Sequence, residues 1–209
     1  MARVQGPLFS LGASGKLGGA VVYATWKGRA YVRELVRPAN PKSDKQLSVR
    51  AMMRWLSQQW AGVGPTAQDS WDDLADADVV SPFNAYVKKN LRRWRNFLGV
   101  GQDSTPDAGD AGPANGAASI AGGVRMITVT MAVTTLNDAW GLAIFRKTGG
   151  AVTPAFDNLV SVQPYDGTND IVFVDTPLAP ATYHYDFYSI TKDGLFTDET
   201  DPVSAAATA

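Results

Sequence analysis

The 209-residue chain has no cysteine, a single histidine and only two glutamates, Glu34 and Glu199. Without cysteine neither a disulfide nor a thiolate metal site is available, so stability has to come from packing or from contacts with other chains. A Ser-His-Asp relay or a zinc site would rest on His184 alone, with no His or Cys neighbour, and a place on a strand surface is the simpler account. A carboxylate pair of the glycosidase kind would have to be assembled from aspartates, most of which stand in turn-like or linker-like stretches. Long apolar runs are missing as well. Nothing approaches the roughly 20 residues that cross a bilayer, and residues 1–30 lack the uninterrupted apolar core of a secretion signal. These absences point away from an enzyme, a cofactor carrier and a membrane-inserted protein, so no catalytic, cofactor-binding or metal-binding residue is assigned.

What is present matches a globular protein: 45% hydrophobic and 19% charged residues, in a length that allows one or two domains. The formal charge of -1 hides an asymmetry. Residues 1–98 carry 15 Lys and Arg against 7 Asp and Glu, whereas residues 99–209 carry 4 against 13. A chain polarised in this way can dock by its basic end on an acidic or nucleic-acid-bearing surface, or stack head to tail with its own copies.

The glycines at 6, 12, 15, 18 and 19 favour turns and close backbone approach, which predicts an extended N-terminal arm. Ala20-Val-Val-Tyr-Ala-Thr-Trp26 and Arg29-Ala-Tyr-Val-Arg-Glu-Leu-Val36 flank Lys27-Gly28, the pattern of a β-hairpin. Alternation puts Arg29, Tyr31, Arg33 and Leu35 on one face of the second strand. Three helices are predicted next. The first follows the capping-box spacing Ser43-x-x-Gln46 and bears Val49, Met52, Met53, Leu56 and Trp60. A short one is capped by Thr66 and bears Trp71 and Leu74. The third opens at Ser81-Pro82, with Phe83, Tyr86, Val87, Leu91, Trp94 and Leu98 as its apolar stripe and Lys88, Lys89, Arg92, Arg93 and Arg95 on the other side. Residues 99–123, dominated by Gly, Ala, Asp and Pro, read as a linker. Beyond it come short β segments at 126–133, 141–146, 159–162, 171–175 and 182–191, and a last one near Val203, the spacing of a small sandwich. The expected architecture is α+β: a basic arm, hairpin and three-helix module at 1–98, a linker at 99–123 and an all-β sandwich at 124–209.

Two stretches resemble known families. Leu178-x-Pro180-x-Thr182, leading into a strand with Tyr183 and Tyr185, looks like the second half of a fibronectin type III domain, a resemblance covering about 124–205. In that family a tyrosine hydroxyl ties down the preceding corner; Ala181 stands where a glycine is usual, and either tyrosine can fill the role. The order Gly15-x-x-Gly18-Gly-x-Val-Val-Tyr-x-x-Trp26-Lys-Gly-Arg29-x-Tyr-Val-Arg33, then Asn40-Pro41, Gln46, Arg50, Trp60, Trp71 and Phe83-Asn-Ala-Tyr-Val-Lys-Lys-Asn90, is similar to a family of small proteins encoded among the structural genes of tailed phages. That resemblance implies a virion part made in the bacterial cytoplasm, with other virion proteins and copies of itself as partners.

Other motifs fall short of a chemistry. Gly12-Ala-Ser-Gly-Lys16 misses the P-loop pattern, with Ser10 where glycine and Leu17 where Ser or Thr would stand. Asp166-Gly-Thr-Asn-Asp170 and the cluster Asp72, Asp73, Asp76 and Asp78 lack the spacing of a calcium loop and read as turn chemistry and helix solvation. Trp26, Trp55, Trp60 and Trp71 read first as core. The residues expected at an interface are Trp26, Lys27, Arg29, Tyr31 and Arg33 on the hairpin and Lys88, Lys89, Arg92, Arg93 and Arg95 on the third helix. For the helical set, weak nucleic-acid contact through phosphates is the alternative use; for the sandwich, the alternative is adhesion to a host surface or glycan.

Overall fold

The computed structural model describes residues 2–3, 14–37, 40, 42–105, 118–132, 139–198 and 203–209. The first part of the expected arm and the middle of the expected linker lie outside the described residues. The chain divides into two compact units, residues 1–41 and 42–209.

The first unit is a four-stranded antiparallel sheet in the order β1-β4-β3-β2. Its strands are β1 (Ala2–Arg3), β2 (Gly15–Leu17), β3 (Val21–Trp26) and β4 (Arg29–Glu34). The hairpin of β3 and β4 has the expected two-residue turn. Lys27 (φ 49°) and Gly28 (φ 74°) are both left-handed, the pairing that matches the twist of the flanking strands and that glycine makes easy. The described stretch of the glycine-rich segment is part of this sheet rather than a free arm: Gly15, Lys16 and Leu17 pair with Tyr23, Val22 and Val21. No residue from 14 to 37 is buried.

The second unit begins with four helices: α1 (Asp44–Gln59), α2 (Pro65–Asp69), α3 (Asp72–Asp78) and α4 (Pro82–Arg95). Ser43 holds the expected N-cap position of α1 in extended conformation, but its side chain makes no capping hydrogen bond. At the start of α4 the expected cap is made, with Ser81 Oγ accepting from the Asn84 N–H at 3.3 Å and Pro82 opening the helix. The short helix expected from Thr66 is two helices instead. Gly64 and Pro65 start α2, and the chain turns at Ser70, whose hydroxyl donates to the Ala67 carbonyl (2.7 Å), before α3 starts behind Trp71.

The remaining strands are β5 (Ala118–Gly123), β6 (Met126–Met131), β7 (Ala139–Thr148), β8 (Leu159–Pro164), β9 (Ile171–Asp175), β10 (Ala181–Thr191), β11 (Phe196–Asp198) and β12 (Val203–Ala207). They form a three-stranded sheet, β5-β6-β9, and a five-stranded one, β11-β10-β7-β8 with β12 also on β10. Strand alternation on β10 separates two cores. Tyr183, Tyr185 and Phe187 meet Ile127, Val129 and Met131 of the other sheet. Tyr188 and Ile190 face the helices, in a core with Trp55, Trp94, Trp140 and Phe145. The order through this unit is therefore helices, five-stranded sheet, three-stranded sheet.

This layering sets the domain boundary differently from the expectation at 98/99. Trp94 is buried and its ring is 6.2 Å from that of Phe145 and 5.8 Å from that of Phe196. The Trp55 ring lies 4.4 Å from that of Trp140 and directly over Gly141, where an added Cβ would come within 2.6 Å of it. The described ends of the expected linker are ordered parts of the unit. Asn90 grips Gly101 through both its amide groups (3.0 and 3.1 Å), the Trp71 indole donates to the Gln102 carbonyl (2.7 Å), and residues 118–123 are strand β5. Mixed α+β architecture is as expected; the helices and the two sheets belong to one unit.

Candidate docking surfaces

Register decides what the N-terminal sheet presents. Val22 stands opposite Arg33, Ala24 opposite Tyr31 and Trp26 opposite Arg29, while Lys16 stands opposite Val22. Residues directly opposite share a face, so Lys16, Trp26, Arg29, Tyr31 and Arg33 lie together around Val22 and Ala24. Trp26 is 63% exposed, which corrects its reading as a core residue. Lys27 in the turn sets its ammonium 4.8 Å from the Trp26 ring centre, a cation–π contact at the tip of the hairpin. Four of the five hairpin residues expected at an interface are thus on one face, with Lys27 at its end. Lys16 joins them unforeseen, because its strand lies in the segment read as an arm.

The cations of α4 are less available. Lys88 pairs with Asp78 at 2.8 Å. Lys89 donates to the Ser104 carbonyl and sits 5.9 Å from the Trp71 ring centre. Arg93 Nε donates to the Gly99 carbonyl at 2.6 Å. Together with Arg92 these residues line an open groove of about 400 Å³. Arg95 is apart from them, in a separate depression with Lys45 and Arg50 over Val49 and Phe156. Trp94, expected on the apolar stripe, is in the core with its indole donating to Ser48 Oγ (3.0 Å). Leu98, expected on the apolar stripe, lies beyond the end of α4 and is 49% exposed.

Polar groups elsewhere are taken up in structural roles. His184 is half-buried on β10 opposite Ser204. Asp175 accepts from Arg146 (2.6 Å) and from the Tyr185 hydroxyl (2.8 Å), and burial beside this carboxylate pushes the Tyr185 phenol well above its ordinary range. Tyr183 donates to the Ala179 carbonyl at 3.0 Å, so it, not Tyr185, closes the corner. Asp166 spends its oxygens on the Asn169 side chain and on the N–H groups of Thr168 and Asn169 (2.8 to 2.9 Å). This is the turn chemistry expected of the segment.

No family model matches the chain, and no curated protein matches it. Among solved structures it is similar to a β-1,2-glucanase from Parabacteroides distasonis, with 18% identity, 51% of this chain and 14% of that chain covered, and a TM-score of 0.37. It is also similar to the spore cortex lytic enzyme SleM of Clostridium perfringens, with 13% identity, 46% and 28% covered, and a TM-score of 0.31. The chain spans less than a third of either protein.

Proposed function

We propose that the chain is a non-enzymatic accessory structural protein of a tailed-phage virion, which docks by its N-terminal sheet on an acidic capsid or tail surface and presents a fibronectin type III-like body. The observation that carries the proposal is the face that gathers exposed Lys16, Trp26, Arg29 and Arg33 around half-buried Tyr31, on a sheet with no buried residue among those from 14 to 37. Tryptophan, tyrosine and arginine are the side chains that anchor protein interfaces, each bringing large contact area with a polar handle. Many copies on a symmetric shell or tube would bind by avidity with weak individual contacts. The body reading is supported by two facing sheets in the orders β5-β6-β9 and β8-β7-β10-β11, with Tyr183 tying its corner.

The nucleic-acid reading through α4 has less support, because Lys88, Lys89 and Arg93 already serve Asp78, Ser104 and Gly99. The two readings part in a binding assay. Under the proposal, Trp26→Ala with Arg29→Glu and Arg33→Glu abolishes co-sedimentation of the chain with purified particles, and Arg92→Glu with Arg95→Glu leaves it intact. Co-sedimentation that survives the first set, or salt-sensitive DNA binding lost with the second, would reverse the order.

A further inference from the structure

We propose that the depression formed by α1, the end of α4 and the turn before β8 binds a short acidic segment of another protein, one with a large apolar side chain beside its carboxylates. Two helices and a turn converge there. Lys45, Gln46, Val49 and Arg50 come from α1, Arg95 from the last turn of α4, and Phe156 from the turn leading into β8, around a space of about 380 Å³. Phe156 packs on the core, its ring 6.1 Å from that of buried Trp94, so this part of the floor is held in place from within.

The charges select the occupant. Lys45 is already served by Asp157, at 3.6 Å. Arg50 and Arg95 are exposed and, among the described residues, make neither an ion pair nor a side-chain hydrogen bond. This is out of keeping with residues 42–209 as a whole, where 19 acidic side chains outnumber 13 basic ones. A guanidinium takes a carboxylate through two parallel hydrogen bonds and gives up its water more readily than an ammonium. Half-buried Val49 and Phe156 add apolar surface in the same depression, which an apolar side chain covers favourably. A nucleic acid is the poorer fit. It sets a charge roughly every 3.4 Å along each strand of a duplex and calls for a row of cations, whereas Lys88, Lys89, Arg92 and Arg93 line a different groove. The chain's own N-terminal unit, with six basic residues and one acidic, has the wrong charge to fill the site. A space this small takes a few residues of a partner and not a shell surface, so the site is separate from the docking proposed for the N-terminal sheet.

Fluorescence anisotropy with a labelled peptide of glutamates around one central phenylalanine tests the proposal. The full chain is used with Trp26→Ala, Arg29→Glu and Arg33→Glu in place, which removes the cationic face of the sheet from the reading and leaves that proposal to its own assay. Saturable binding is expected. Arg50→Glu with Arg95→Glu is expected to weaken it by roughly tenfold or more, and serine in place of the peptide's phenylalanine by roughly fivefold. Lys88→Glu with Arg92→Glu, in the other groove, is expected to leave it unchanged. These four side chains are exposed, so the fold is expected to survive, read as an unchanged midpoint in urea unfolding; if charge reversal lowers that midpoint, Arg50→Gln with Arg95→Gln gives the same reading. Absence of binding, equal loss from both pairs of substitutions, or tighter binding of a single-stranded DNA oligonucleotide that Arg50→Glu with Arg95→Glu abolishes, overturns the proposal. So does self-association of the chain that the same pair abolishes, which would put a second copy in the depression.

Discussion

At the scale of single residues, the structure turns on close contacts that composition does not report. Gly141 is the sharpest: the Trp55 ring occupies the space a methyl group would need, 2.6 Å from the built Cβ. Gly141→Ala is therefore expected to destabilise the protein by about 1–3 kcal/mol, the usual cost of overpacking a filled core, read as a lower midpoint in urea unfolding with an unchanged slope. Asp166 makes the pH-dependent contribution. The Asn169 side chain first, and then the N–H groups of Asn169 and Thr168, hold its carboxyl down at about 2, from an ordinary value of 3.8. A folded value below the unfolded one means that this turn is fully stabilising above about pH 4 and loses that support as the pH falls through about 2. The Thr168 and Asn169 amide resonances should shift together with that midpoint, and Asp166→Asn should abolish the step. Some residue-level features were legible in the sequence, including the Lys27-Gly28 turn, the Ser81 cap and the alternation of Arg29, Tyr31 and Arg33. Trp26 stood in both expectations, first as core and also as an interface residue, and its 63% exposure decides for the surface.

At the scale of elements, periodicity and punctuation located α1, α4 and most strands, because Ser43, Ser81 and Pro82 mark starts and β-branched runs mark strands. Strand β5 escaped, since Ala-Ser-Ile-Ala-Gly-Gly has one large apolar side chain, and its strand state comes from pairing with β6 rather than from propensity. The second helix escaped in another way: Ser70 and Trp71 interrupt a pattern whose spacing reads as continuous. The end of α3 carries strain that can be relieved. Val79 is left-handed (φ 53°) and 91% exposed, where a glycine ordinarily ends the helix and a β-branched residue costs about 1–2 kcal/mol. Val79→Gly is expected to raise stability by about 1 kcal/mol, visible as a higher midpoint in thermal unfolding; a lower midpoint would show that Val79 makes a contact worth more than its strain.

At the scale of the whole molecule, the expected boundary after residue 98 failed because charge and glycine content describe the surface, whereas domains are defined by shared cores. One signal did point to the layering: Ala139-Trp-Gly-Leu-Ala-Ile-Phe145 is continuously apolar, as a strand covered on both faces must be. Burying indoles such as Trp55 and Trp94 contributes about 5 kcal/mol each by area, too much for the helices to leave the sheet. A fragment of residues 42–209 should unfold cooperatively, while residues 118–209 alone should expose Trp140, Phe145 and Tyr188 and bind the dye ANS; cooperative folding of the shorter fragment without dye binding would contradict the shared core. The N-terminal unit, with six basic residues and one acidic, and the body, with 13 basic and 19 acidic, then have different tasks in the proposed role, one docking and the other presenting. Cryo-electron microscopy of intact particles from the source tests that role most directly. The account predicts regular copies of the chain, with Trp26, Arg29, Tyr31 and Arg33 against an acidic surface of the shell or tail; particles that lack the chain, or hold it with that face turned to solvent, would contradict it.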